Sequence, residues 1–547
     1  MQGLFASLIA RCDAADGRPF LALFALTAAL FLYHAARAAW ESRAGLAARL
    51  RAELPPLLGL AALAALVRLL YCPAEFMTIG LDTWTVGDAA RVFSTPLSAP
   101  LEAPRSAAHA ALFGLYLKLA GFGLPSAFYF NFAAGLLASL LCYAVLRLNS
   151  VPAAPALAGS AVAATAPAAV LASGGLLDGA LSGLLIMLFL AAWYAFLRSP
   201  GRRRFALASL ALALAGQARQ ENFMLLALYA ALLLLARRRL PADLKKPRSL
   251  AAGLACAALC LPYGLKQACN YIAFHEGPRA HERWGGLAAQ AAEAFSNLPR
   301  YRFVWLYDGV NLTALALAAA AWAVWRAWRA RDPQEAAWPP AGCFLAYLAA
   351  FVPAARFTGY MPWYPLAAAP CFILAVWLVL RRYESRRVLG ALAAAWLALN
   401  LYGARAQADP ARRSLAKVTA VVRFAQDELL GREGVKVFFP RPFGAIYGAL
   451  FDGSNGRHCA PRGCAWCPPQ DALTAGRLAS ALEDGGLAYY LPPLPSDSYT
   501  APEDCEVPPG YGRAPAYELS DGGRVSYTVW RLLPAGAAAP PPVPVKL

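Results

Sequence analysis

Up to about residue 404 the apolar positions arrive in long unbroken runs, with neither the alternation of a half-buried strand nor the single stripe of a soluble amphipathic helix. Runs long enough to cross about 30 Å of hydrocarbon at about 1.5 Å per residue fall at 20–38, 54–72, 122–148, 152–172, 176–197, 249–267, 309–328, 341–355, 362–380 and 388–403. One more run, between Arg204 and Arg237, is too long for a single crossing and carries Arg219-Gln220-Glu221 at its middle. It reads as two short helices, 205–218 and 221–236, meeting near the outer face. The pattern predicts a polytopic α-helical membrane protein of about twelve transmembrane helices. An N-terminal helix and loop (1–53) precede the main membrane domain (54–404).

From residue 405 the hydropathy collapses, and a stretch rich in Pro and Gly follows with short strand-like runs at Val435–Phe439, Leu487–Leu491 and Val525–Leu532. The segment 405–547 reads as a soluble α/β domain whose last residues, Ala537–Val543, form a flexible end.

Six basic clusters punctuate the apolar runs: Arg43/Arg49/Arg51, Arg147, Arg198/Arg202/Arg203/Arg204, Arg237/Arg238/Arg239/Lys245/Lys246/Arg248, Arg326/Arg329/Arg331 and Arg381/Arg382/Arg386/Arg387. Placing all six in the cytoplasm satisfies the positive-inside rule and fixes one topology. Both termini then lie outside, and so does every residue suited to chemistry. Met1–Ala10 is apolar with no basic residue before it, which does not read as a cleaved signal peptide.

The net charge of +18 changes little. Before Arg405 there are 35 basic and 18 acidic residues, and from there on 15 and 14. The excess therefore belongs to the membrane part, where topology explains it, and excludes a nucleic-acid partner. Cys459, Cys464, Cys467 and Cys505, in a segment placed outside the cytoplasm, read as two disulfides. The run from His458 to Cys467 also has metal-ligand spacing, and that alternative stays open. The other eight cysteines are scattered in or near the spans as packing residues.

Charges that hydropathy does not explain are the candidates for function. Asp82 and Asp88 lie in the first outer loop, 73–121, where a carboxylate can act as a general base at the bilayer surface or cap the next helix. His109 opens an aromatic run that reads as a short interfacial helix. Asp178 sits in a tight outer turn, and Arg219 and Glu221 flank the next one, where a local ion pair is the simplest reading. Arg356 lies in Arg356-Phe357-Thr358-Gly359-Tyr360-Met361-Pro362-Trp363-Tyr364-Pro365, and its guanidinium suits a phosphate at headgroup depth. The outer loop 268–308 holds His275-Glu276 and His281-Glu282, either a weak divalent-metal site or a polar cover. The spacing of the two histidines is not that of a helical zinc motif.

The order of these residues resembles the GT-C glycosyltransferases, multi-spanning enzymes that use polyprenyl-phosphate sugars. It is Asp82 with Ala90-Arg91, His109 before an aromatic run, Asp178, Arg219-x-Glu221, then Arg356-Phe357 with Pro362 and Pro365. The pattern is most similar to the protein O-mannosyltransferases and the lipid A aminoarabinose transferases, over roughly residues 55–385. It departs from them where Thr83 replaces an acidic residue and Ala110-Ala111 a Pro-Pro. The resemblance implies transfer of a sugar from a polyprenyl-phosphate donor to a hydroxyl of a lipid, glycan or protein, with inversion, on the outer face of a bacterial inner membrane. It implies Asp82 as general base, Arg356 and Arg219 on the donor phosphate, and His109, Asp178, Glu221, Asp88 and Tyr360 positioning the substrates. No cofactor is required, a divalent metal ion being the one left open. The rivals are a transporter or flippase of a lipid-linked substrate, whose internal repeat is missing here, and a non-catalytic relative.

The topology has a direct test. In a background without other reactive thiols, Arg203→Cys, Lys246→Cys and Glu384→Cys should be labelled only from the cytoplasm and Leu430→Cys only from outside. External labelling at position 246 overturns the topology.

Overall fold

A polar group inside hydrocarbon has no water to turn to, so its partners must come from the protein. The computed structural model describes residues 16–41, 43–71, 106–120, 124–174, 178–236, 240–267, 305–307, 310–311, 338–346, 369–380, 385–430, 434–438, 475–492, 507–521 and 523–546, with Ala89, Val92, Leu101, Pro104, Trp325 and Arg432. The chain forms two compact units. One comprises Met1–Pro73, Thr95–Leu112 and Tyr129–Ala408, the other Ala74–Ser94, Phe113–Phe128 and Asp409–Leu547.

The helices run in order α1 (Arg18–Glu41), α2 (Arg43–Tyr71), α3 (Ala107–Ala120), α4 (Leu124–Leu148), α5 (Ala153–Thr165), α6 (Pro167–Gly174), α7 (Gly179–Arg198), α8 (Arg202–Gly216), α9 (Met224–Ala236), α10 (Pro247–Ala258), α11 (Ala369–Leu380) and α12 (Arg386–Ala425). Among the described residues, six stretches are long and apolar enough to cross a membrane: Arg18–Glu41, Arg51–Tyr71, Tyr129–Leu148, Gly179–Arg198, Pro247–Gln267 and Arg387–Ala406. The chain is a polytopic helical membrane protein. Most of the expected runs at 309–328 and 341–355 lie outside the described residues. A two-stranded hairpin, β1 (Trp305–Tyr307) with β2 (Val310–Asn311), was not foreseen.

The run expected as one span at 152–172 is two helices. Pro167 has no N–H to offer the preceding turn, and at Ala166 the backbone leaves the helix with φ −53° and ψ 128°. The break frees carbonyls inside the unit, and side chains from other helices take them up. Asn400 Nδ2 of α12 donates to Val162 O at 2.8 Å and to Thr165 Oγ1 at 3.2 Å. Arg68 of α2, fully buried, donates through Nη1 to Ala164 O at 3.1 Å and to Ala64 O at 3.0 Å. Its Nη2 reaches Gly135 O at 3.2 Å and Ser139 Oγ at 3.4 Å on α4, and its Nε reaches Ser173 Oγ at 2.8 Å on α6. One planar fork of donors thus joins four helices. A Cβ at Gly135 would lie 2.2 Å from Ser173 Oγ and 3.0 Å from Arg68 Nε, so the close approach needs glycine.

At the end marked by basic residues, ion pairs tie helix to helix. Glu53 of α2 takes Arg147 at 2.5 Å and the Tyr143 hydroxyl at 2.5 Å, both from α4. Arg203 pairs with Glu41, and Arg202 with Asp243 at 3.2 Å.

In the second unit a mixed sheet has the order β3-β4-β6-β5-β7, from β3 (Val435–Phe438), β4 (Leu487–Tyr490), β5 (Tyr511–Asp521), β6 (Arg524–Pro534) and β7 (Val543–Lys546). One face packs Val437, Tyr489, Leu519 and Val529 against Val421, Phe424 and Leu429 at the end of α12 and just after it. The other face packs Phe438, Ala488 and Leu532 against Leu478 and Ala481 of α13 (Ala475–Leu482). The three foreseen strands are present, and β5 and β7 are additional. The end expected to be flexible includes Val543, which opens β7 beside β5.

Arg68→Met should lower the Tm of the detergent-purified protein, because it leaves the buried Ala164 carbonyl without this donor, a loss of about 1–3 kcal/mol. An unchanged Tm would mean that the break does not need Arg68.

Candidate active site

Helices α8 and α9 are short, and the turn between them is buried inside the unit. Two contacts fix its level against α1: Arg203 pairs with Glu41, and Gln217 Nε2 donates to Thr27 Oγ1 at 3.2 Å. The contacts are the same number of residues apart on both helices, as expected for antiparallel neighbours. At about 1.5 Å per residue, Thr27 lies roughly 13 Å along α1 from Arg18. The turn 217–223 therefore lies level with a point that far along α1 from its first residue.

Three charged groups meet at this turn. Asp178 occupies the N-cap of α7, where a carboxylate ordinarily caps backbone N–H groups and suits the positive end of the helix dipole. Its side chain makes no cap bond. Its Oδ1 instead accepts from Arg219 Nη1 at 2.6 Å. Arg219 also donates from Nε to Glu221 Oε2 at 3.1 Å and from Nη2 to Glu221 Oε1 at 3.4 Å. All three side chains are about nine-tenths buried or more. The local ion pair of Arg219 and Glu221 is thus present, and Asp178 joins it across a gap of 41 residues. With both acids ionised the trio carries a formal charge of −1. The guanidinium is committed to two carboxylates.

The next residue secures the turn. Asn222, fully buried, donates to Ser182 Oγ at 3.0 Å on α7 and to Ala215 O at 2.6 Å on α8. From the other side comes the start of α3. Ser106 caps that helix, its Oγ accepting from His109 N–H at 3.0 Å. The neighbouring Ala108 N–H donates to Gln217 O at 3.1 Å. His109 is 1% exposed, with its ring edge-to-face on Phe130 at 5.7 Å.

The structure therefore brings Asp178, Arg219 and Glu221 together, with the His109 helix start bonded two residues away from Arg219. Asp82, Asp88, Arg356 and Tyr360 lie outside the described residues, as do His275, Glu276, His281, Glu282 and the four tail cysteines. Among the described residues no group of three metal-ligating side chains is found, and Cys142, Cys256, Cys260, Cys343 and Cys371 are free thiols. Gln217, Asn222 and Arg68 were not singled out from the sequence. The first two flank the Arg219 turn and the third interrupts an apolar run, which is the signal that finds them.

A search of solved structures returns, among its matches, crystal structures of ArnT from Cupriavidus metallidurans. One is bound to undecaprenyl phosphate (12% identity) and one is in the apo state (14%). In both matches 88% of this chain and 99% of the other are covered, with a TM-score of 0.54. The chain has an ArnT-like fold. At that identity the likeness is one of architecture. It nonetheless agrees with the motif order, which pointed to the lipid A aminoarabinose transferases. No family model matches the chain, and no curated protein does.

If the trio acts as one unit, Asp178→Asn and Arg219→Gln should not add. A double-mutant cycle on unfolding in mixed micelles should give a coupling of about 1–3 kcal/mol. Additive losses would mean that the two side chains are energetically independent.

Proposed function

We propose that the protein is a GT-C-type glycosyltransferase that moves a sugar from a polyprenyl-phosphate donor to an acceptor hydroxyl on the extracytoplasmic face of a bacterial inner membrane. The carrying observation is the buried Asp178–Arg219–Glu221 cluster at the turn between short helices. Ionisable groups buried within a membrane protein are functional candidates by default. The ArnT-like fold, which one neighbour holds with undecaprenyl phosphate bound, suggests the class of donor. About twelve spans and a soluble outer C-terminal domain complete this reading.

The chemistry follows from charge. A sugar on a lipid phosphate is already activated, so the protein must take a proton from the acceptor and stabilise the departing phosphate. In this reading Asp82 is the base and Arg356 faces the phosphate. Arg219, a second candidate for that phosphate, also orients Asp178 and Glu221, and these two carboxylates, with His109, Asp88 and Tyr360, position the substrates. The acceptor is left as a lipid, glycan or protein hydroxyl.

A transporter is the reading that the broken helix α5–α6 favours, since unwound backbone in transporters coordinates the cargo. Here Val162 O and Ala164 O accept from Asn400 and Arg68, which weighs against that use.

Mass spectrometry of lipid and glycan extracts from cells with and without the chain should differ by a glycosylated species. Asp82→Asn should reduce its formation by about 10²-fold or more while purified protein still binds undecaprenyl phosphate. Arg356→Ala should weaken that binding as well. Wild-type turnover in Asp82→Asn would remove Asp82 as the base.

A further inference from the structure

Gln217 is fully buried and has no charge, yet several elements converge on it. Its side-chain Nε2 donates to Thr27 Oγ1 on α1 at 3.2 Å and to Leu259 O at the end of α10 at 3.1 Å. Those two acceptors fix which end of the amide is nitrogen. Its backbone oxygen accepts from Ala108 at the start of α3, and its backbone N–H closes α8 on Ala213 and Leu214. Its Oε1 is buried without a hydrogen-bond partner. Side chain and backbone of one residue therefore connect four helices two residues before Arg219.

The same segment of the first loop is tied to α1 and α10 at further points. Gly17 N–H donates to Leu101 O at 2.7 Å, and Leu101 N–H donates to Asp16 Oδ1 at 3.4 Å. Gln267 Nε2 donates to Pro104 O at 2.8 Å. Leu101 to His109 is thus sewn to the beginning of α1, to the stretch after α10 and to Gln217. A helix that hydropathy alone would treat as an additional N-terminal anchor is part of the frame of the site.

Resting on the glycosyl-transfer reading for the name of the site, we infer that Gln217, held by Thr27 of α1, is a positioning residue that sets the register of the Arg219 turn. Thr27 is the place to test this, because its hydroxyl bonds back to Leu23 O at 2.7 Å and its loss leaves the fold of α1 intact. Thr27→Val keeps shape and removes the acceptor. Thr27→Ser keeps the acceptor and serves as the rescue. Gln217→Leu removes both side-chain bonds at once.

Two readouts separate placement from folding and from function. The first is the rate at which phenylglyoxal modifies Arg219, read by peptide mass spectrometry well below the Tm of each variant. The buried, doubly paired guanidinium should react slowly in the wild type and in Thr27→Ser, and at least threefold faster in Thr27→Val and Gln217→Leu. The second is the affinity of the same proteins for undecaprenyl phosphate, expected to fall at least threefold in Thr27→Val and to be restored in Thr27→Ser. Equal Arg219 reactivity in wild type and Thr27→Val overturns the positioning role, even if the Tm falls. Faster labelling in a protein whose wild type binds no undecaprenyl phosphate leaves the positioning role standing and sinks the donor assignment.

Discussion

The 2.6 Å contact between Arg219 and Asp178 is the interaction on which the rest of the site depends. Taking two such groups out of water costs several kcal/mol per ion, and the attraction between them offsets that only with good geometry and further hydrogen bonds. The surroundings meet both conditions. Glu221 takes two more donors of the guanidinium, Asn222 locks the turn to α7 and α8, and the Asp178 carboxylate sits at the positive end of α7. A small change in the placement of any of these helices would leave a buried charge without its partner. The site is consequently specified by polar contacts, and the apolar packing around it is comparatively tolerant of substitution.

Long apolar runs made most of the membrane architecture legible, because length and hydropathy are nearly all that a crossing requires. What they hid was continuity. The run 152–172 looked like one helix since beyond its first turn only Pro167 interrupts it, and proline is common in such helices when a neighbour can satisfy the freed carbonyls. That neighbour, Asn400, lies 238 residues away from Val162, beyond any local pattern. In the second unit, β5 escaped notice because Gly510, Gly512 and Pro515 look like loop. The strand tolerates Pro515 at a point where its register with β6 shifts.

The site was legible to the degree that its residues are charged. Asp178, Arg219 and Glu221 each stand out against an apolar background, and the fold brings them into contact. Gln217 and Asn222 do as much to hold the turn, but an uncharged amide beside charged neighbours attracts no attention in a hydropathy scan. Arg68 was concealed by its position, near the end of a run that still averages as a span.

Arg68 also imposes an order of assembly. Its partners outside α2 lie 67 to 105 residues further along the chain, from Gly135 to Ser173. At about 5–20 residues per second of synthesis, the last of them emerges roughly 5–20 s after Arg68 itself. During that interval α2 carries a guanidinium with a penalty of about 2.5–3.5 kcal/mol on insertion scales. A nascent helix in that state is better held beside the insertion machinery than released into lipid, so α2 is a segment whose maturation waits for α6.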